Sequence, residues 1–219
     1  WADATEPEIN GWETDVDDYK NMMKPTIGSA ARYLNTYSLM QAKGLYDGQR
    51  SMTSDKRVFI LTRSAFTGQQ RYAAATWSGD VSATWEVFKY QIPAGLNFSI
   101  TGIPYWTTDI GAFFINSHDW FRNGQFPEGV KDPVYHEFFV RWYQFGTFSP
   151  LFRVHGAQTK REIWYFGEPG DPAYDIQLKF DNLRYRLMPY IYSLAGMVTN
   201  ENYTIMRPLI MDFRHDSLV

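Results

Sequence analysis

The chain has 219 residues, enough for one large hydrophobic core. Its 21 Lys and Arg against 24 Asp and Glu give a net charge of -3, an acid–base balance that argues against nucleic acid as a partner. Cysteine is absent, which excludes disulfides, thiol nucleophiles and thiolate metal sites, and no apolar run approaches the roughly 20 residues of a membrane helix.

Taken in chain order, the sequence opens on Trp1-Ala2-Asp3, which reads as the end of a strand and as a cut end with no signal-peptide pattern. From Ser29 to about Gly48, Ala31, Leu34, Leu39, Met40 and Leu45 with few breakers predict a helix that stops at the glycine. Residues 57–62 are a short β-favouring run. A second strand is expected over 72–77, running into Ser78-Gly79-Asp80, with a helix from about Ala83 to Tyr90. A third strand is expected over 99–103, leading into Pro104-Tyr105-Trp106 and on to Gly111. The Asn, Gly, Pro and Asp content of 116–133 predicts a long loop. Then come a helix over 138–148, a strand over 150–154 ending at His155, and a long helix over 174–198 that Pro189 is placed to kink. Residues 207–213 read as a strand opening a second domain.

Five strand-to-loop transitions separated by helices make more than half of an eight-stranded (β/α) barrel, or a complete five-stranded doubly wound sheet; the pattern leaves both open. In either α/β architecture the carboxyl ends of the strands form the ligand face. Asp3, Arg63, Asp80, Asp109 and His155 all fall just past expected strand ends. A single Asp there is most often a helix cap, but five polar groups, with Trp1, Trp77 and Trp106 beside three of them, point to a site. Aromatic residues make up 18% of the chain, and amphipathic rings either fill a core or seat the apolar faces of sugars. Two carboxylates facing one sugar are the minimal equipment of glycoside hydrolysis, and Asp3 and Asp80 supply them. The four histidines show no metal-ligand spacing, and no P-loop, dinucleotide fingerprint or serine elbow occurs, so neither a metal nor a cofactor is expected.

The segments Trp1-Ala2-Asp3-Ala4-Thr5-Glu6-Pro7, Leu61-Thr62-Arg63-Ser64 with Trp77-Ser78-Gly79-Asp80, Gly102-Ile103-Pro104-Tyr105-Trp106 through Asp109-Ile110-Gly111, and Arg153-Val154-His155 resemble the signatures of glycoside hydrolase family 31. That resemblance implies a retaining α-glycosidase on a (β/α)8 TIM barrel, of which residues 1–206 would be the C-terminal part, about strands four to eight. Residues 207–219 would open a following β-sandwich. It implies Asp3 as nucleophile, Asp80 as general acid/base, Arg63, Trp77, Trp106, Asp109, Phe113 and His155 as substrate-binding residues, and Glu6 as support for Asp3. Ala112 departs from the family pattern, standing where many members have a second glycine, and is expected to be tolerated.

The motif variant and the insertion at 116–133 look most like bacterial α-xylosidases that trim xyloglucan-type oligosaccharides; α-glucosidase is the alternative, and a non-catalytic sugar-binding domain a remoter one. The expected partners are an oligosaccharide substrate and a missing N-terminal half of the same enzyme. The resemblance leans towards an extracytoplasmic, bacterial setting.

Overall fold

The computed structural model describes residues 28–119 and 122–219. The strand expected to end near Trp1, together with Asp3 and Glu6, lies outside the described residues. Two compact units divide the chain at Thr76/Trp77.

In the first unit a single helical turn, α1 (Ala30–Tyr33), leads through a 3-10 turn at Leu34–Thr36 into α2 (Tyr37–Met52), and strands β1 (Ile60–Thr62) and β2 (Ala74–Trp77, its last residue the first of the second unit) follow. The two strands run parallel, with Ile60 opposite Ala74 and Thr62 opposite Thr76. Their connection is a 3-10 turn at Gln69–Tyr72 entered through Gly68 at φ +93. Ala42 of α2 packs with Val58, Ile60 and Ala74, and Tyr46 lies 6.0 Å from Tyr72, so the helix covers one face of the parallel pair. Burial of every residue of β1 explains why it reads as a continuous apolar run.

The second unit is built on three long helices. The first, α3 (Trp85–Ile100), starts where the Thr84 hydroxyl accepts a hydrogen bond from Val87 N (3.0 Å). It runs ten residues beyond the expected end, through Pro93, and overturns the strand expected over 99–103. Gly102 at φ +80 ends it, with Gly102 N bonded to Ser99 O and Ile103 N to Phe98 O (both 3.0 Å), a Schellman closure that satisfies the last carbonyls. The strand sits later, as β3 (Trp106–Thr107). Helix α4 (Pro133–Phe148) begins five residues before the expected start, because the Asp132 carboxylate caps Val134 N (2.8 Å) and Pro133 takes the first-turn position that needs no N–H donor.

One face of α4, carrying Tyr135, Phe138, Phe139, Trp142 and Gly146, is fully buried among Phe126, Phe166, Ile110 and Ile115. Helix α5 (Pro172–Glu201) packs beside α4 and ends at Asn202 in the left-handed region, φ +55. Its Arg184 donates to Thr147 O (2.9 Å), Ser149 O (2.6 Å) and Pro150 O (3.0 Å), satisfying carbonyls at the C-terminal end of α4. The strand expected over 150–154 is reduced to one parallel bridge between Ile110 and Val154. The strand expected over 207–213 does not form: Leu209–Met211 is a 3-10 turn, held where Arg207 folds back onto Asp212 (2.8 Å) and over the Tyr203 ring (4.1 Å). No helix among the described residues is long and apolar enough to cross a membrane.

Candidate active site

Three loops of the second unit are knitted side by side. The segment after β2 meets the segment after β3 where Phe113 N and Phe114 N both donate to Val81 O (2.9 and 3.0 Å) and Ala83 N donates to Phe114 O (2.8 Å). That segment in turn meets 153–161, through Ile110 N to Arg153 O (3.4 Å) and Ala157 N to Phe113 O (3.0 Å). Backbone pairing of this kind brings Asp80, Asp109, Phe113 and His155 to one side of the unit although they are scattered in sequence.

Asp109 is the deepest of them, with no solvent exposure. Arg153 donates to its Oδ1 as an ion pair, while Oδ2 has no hydrogen-bond partner among the described residues. Burial pushes the carboxyl up to about 6; Arg153 opposes that rise, the nearby negative charge of Asp80 adds to it, and the charge of Arg161 again opposes it. The Arg153 guanidinium lies 5.5 Å from the Trp77 ring centroid, a cation–π contact with a buried indole, and its Nη2 also lacks a partner among the described residues. A buried ion pair with one open acceptor and one open donor is costly by itself and suited to a ligand that offers both a donor and an acceptor, as vicinal hydroxyls do.

Asp80 is half-buried, just beyond Gly79 at φ +76. Phe113 and His155 are half-buried neighbours with ring centroids 5.6 Å apart. A hollow of about 540 Å³ opens beside His155, bordered by Gly156, Trp164 and Gln177, and neither Asp80 nor Asp109 lines it. Trp106 stands apart: it is 1% exposed and stacked at 6.1 Å on Phe98, and a Cβ added at Gly95 would meet its ring at 2.7 Å, so α3 takes one face of the indole. Its Nε1 has no partner among the described residues. Arg63 belongs to the first unit, half-buried immediately after β1, where its carbonyl accepts from the Thr76 hydroxyl (3.3 Å).

Two features escaped the sequence reading. Arg153 stands in the R-x-H segment but had no assigned task, and the structure makes it the charge partner of Asp109. Ala112, expected to be innocuous, adopts φ +67 with no exposure, a left-handed conformation that costs a non-glycine residue about 1 kcal/mol. A Cβ at Gly111, the residue before it, would collide with Phe139, so the turn at 111–112 has no slack.

A chain of parallel strands and helices with acidic residues gathered on its loops has counterparts among known proteins. The family model described as "Glycosyl hydrolases family 31 TIM-barrel domain" matches residues 1–194, and the chain belongs to that family. It is 50% identical to an α-xylosidase of Saccharolobus solfataricus over all of its own length and 28% of that protein's. It is 32% identical to α-glucosidase 2 of Bacillus thermoamyloliquefaciens, over 99% of its length and 25% of the relative's. Among solved structures, the family 31 α-xylosidase of Xanthomonas citri superposes with a TM-score of 0.85 at 39% identity, covering 99% of this chain and 23% of that one. The chain thus spans about a quarter of the length of these relatives.

Proposed function

We propose that this chain supplies part of the active site of a retaining, exo-acting α-glycoside hydrolase that releases terminal α-linked xylose from xyloglucan-type oligosaccharides. Residues 1–206 would provide about strands four to eight of the barrel and residues 207–219 the start of a β-sandwich, with the rest of the sugar pocket coming from an N-terminal half of the same enzyme. The observation that carries the reading is the buried Asp109–Arg153 pair, open on Asp109 Oδ2 and set close enough to Asp80 for the two carboxylates to feel each other's charge.

Asp80 acts as general acid, protonating the departing glycosidic oxygen while Asp3 attacks the anomeric carbon; Asp80 then takes a proton from the water that releases the sugar. Asp109, Arg63 and His155 hold hydroxyls, and Trp77 and Phe113 bound the ring. Trp106, packed under α3, offers at most its indole N–H. Glu6 supports Asp3. The similarity to α-xylosidases favours xylose; the α-glucosidases among the relatives make glucose the second reading.

The test is hydrolysis of aryl α-xyloside and aryl α-glucoside by the enzyme carrying this chain, with Asp3→Ala and Asp80→Ala, each also assayed with azide. Retention predicts that azide rescues Asp80→Ala to the α-glycosyl azide and Asp3→Ala to the β-glycosyl azide. A glucoside preference would move the substrate to the second reading. Undiminished activity of Asp3→Ala would remove the nucleophile assignment.

A further inference from the structure

Arg161 is 7% exposed, and its charge is felt at Asp109, whose hydrogen-bonded ion-pair partner is Arg153. Its guanidinium spends its N–H groups on backbone carbonyls of two different loops: Nη2 donates to Ala112 O (2.7 Å) and Phe113 O (3.3 Å), and Nη1 to Ala157 O (3.0 Å) and Thr159 O (2.9 Å). Burying a cation away from water is expensive, and a neutral amide has too few donors to reach four carbonyls; only the planar guanidinium fork spans the gap. The surroundings are shaped for it. A Cβ at Gly156 would collide with the guanidinium, and Ala112 accepts its left-handed strain at the position whose carbonyl makes the shortest of the four bonds.

We propose that Arg161 is a positioning residue, which ties the loop carrying Phe113 to the loop carrying His155 and so fixes the spacing of two groups that border the sugar ring. The proposal rests on the reading of Phe113 and His155 as sugar contacts. Their ring centroids, 5.6 Å apart, sit on the two backbones that this one side chain bridges. Losing the tie lets the two loops drift by a fraction of an ångström, and small misplacements at a reacting centre are disproportionately damaging.

The test compares kcat and KM on aryl α-xyloside for the enzyme carrying this chain with Arg161→Met, Arg161→Lys, Phe113→Ala, His155→Ala and the Arg161→Met/His155→Ala double variant, each checked for fold by near-ultraviolet circular dichroism. Arg161→Met is expected to lose about 100-fold in kcat/KM. Arg161→Lys, which keeps the charge and three donors but loses the planar fork, should lose only about tenfold. The double variant should be within about twofold of Arg161→Met, since His155 is already unmoored. Wild-type kcat and KM in folded Arg161→Met, or losses that multiply in the double variant, would overturn the proposal. Should Arg161→Met fail to fold, folded Arg161→Lys decides: a tenfold loss supports the tie and an unchanged kcat/KM overturns it. If Phe113→Ala and His155→Ala both keep wild-type kinetics, the sugar-contact reading itself has failed and takes this proposal with it.

Discussion

The aromatic face of α4 and the loop cluster beside it are both buried, yet they spend burial in opposite ways. Around α4 every large ring finds company: Phe138 lies 4.9 Å from Phe126, 5.1 Å from Trp85 and 5.4 Å from Trp142, and the polar atoms of that face are satisfied, Trp142 Nε1 by the Thr108 hydroxyl (2.8 Å) and Tyr135 OH by Gly111 O (3.0 Å). In the loops, Asp109 Oδ2, Arg153 Nη2 and Arg161 Nε are buried without partners among the described residues, and Ala112 is held at positive φ. The packed rings stabilise the unit; the loops consume part of that stability to keep charges dry and poised.

The comparison breaks most sharply at its two extremes. Replacing Asp80 with Asn should cut turnover of a natural, poorly activated substrate by about 10³-fold, the scale of a lost general acid, while leaving the thermal midpoint within a degree or two. A large drop in stability instead would make Asp80 part of the scaffold. Replacing Phe138, fully buried, with Ala should do the reverse: a loss of roughly 4 kcal/mol in a urea titration from lost ring contacts and the cavity left behind, with the kinetics of the folded fraction unchanged. Should Phe138→Ala alter kcat at full stability, the division between packed rings and working loops would not hold.

How much of this was legible in the sequence follows the same division. The strands inside 57–62 and 72–77 and the helices now seen as α2 and α5 were visible because apolar spacing and flanking breakers report burial directly. The 99–103 strand failed because the helix expected to end near Tyr90 runs on through Pro93 and stops only at the Gly102 closure. The strand over 207–213 failed because a five-residue reach from Arg207 to Asp212 outweighs local β preference. Asp80, Asp109 and His155 could be flagged as residues just past strand ends. The pairing of Asp109 with Arg153 could not, since it spans 44 residues of chain and leaves no periodic trace. Nothing marks Arg161 before the fold brings the carbonyls of Ala112 and Phe113 to it.

Asp109 offers an intermediate test, in which the comparison becomes a pH dependence. Its carboxyl ionises near 4 in an unfolded chain and at about 6 in the folded one, so the native state holds the proton more tightly. Below both values the group contributes nothing to stability. As pH rises from about 4 to about 6 the unfolded chain gains ever more from ionising, and the folded protein loses stability by as much as ~3 kcal/mol, a cost fully present above that window. The unfolding free energy of wild type minus that of Asp109→Asn should therefore fall across this window and level off above it. A flat difference would mean that Arg153 fully offsets the burial of its partner.

The smallest effect is the most pointed, because it separates strain from chemistry. Ala112 at φ +67 pays about 1 kcal/mol that glycine would not, while glycine returns roughly half of that through the greater freedom of its unfolded chain. Ala112→Gly should thus stabilise the enzyme by about 0.5 kcal/mol, a rise of a degree or so in the thermal midpoint. Its carbonyl would keep the bond from Arg161, provided the glycine holds the same turn. If the extra freedom loosens that turn instead, kcat/KM should fall while stability rises, and the alanine would be keeping the Arg161 contact in place at the expense of stability. If stability falls with kinetics unchanged, Ala112 is fixed by its packing against the α4 face and belongs with the rings rather than with the loops.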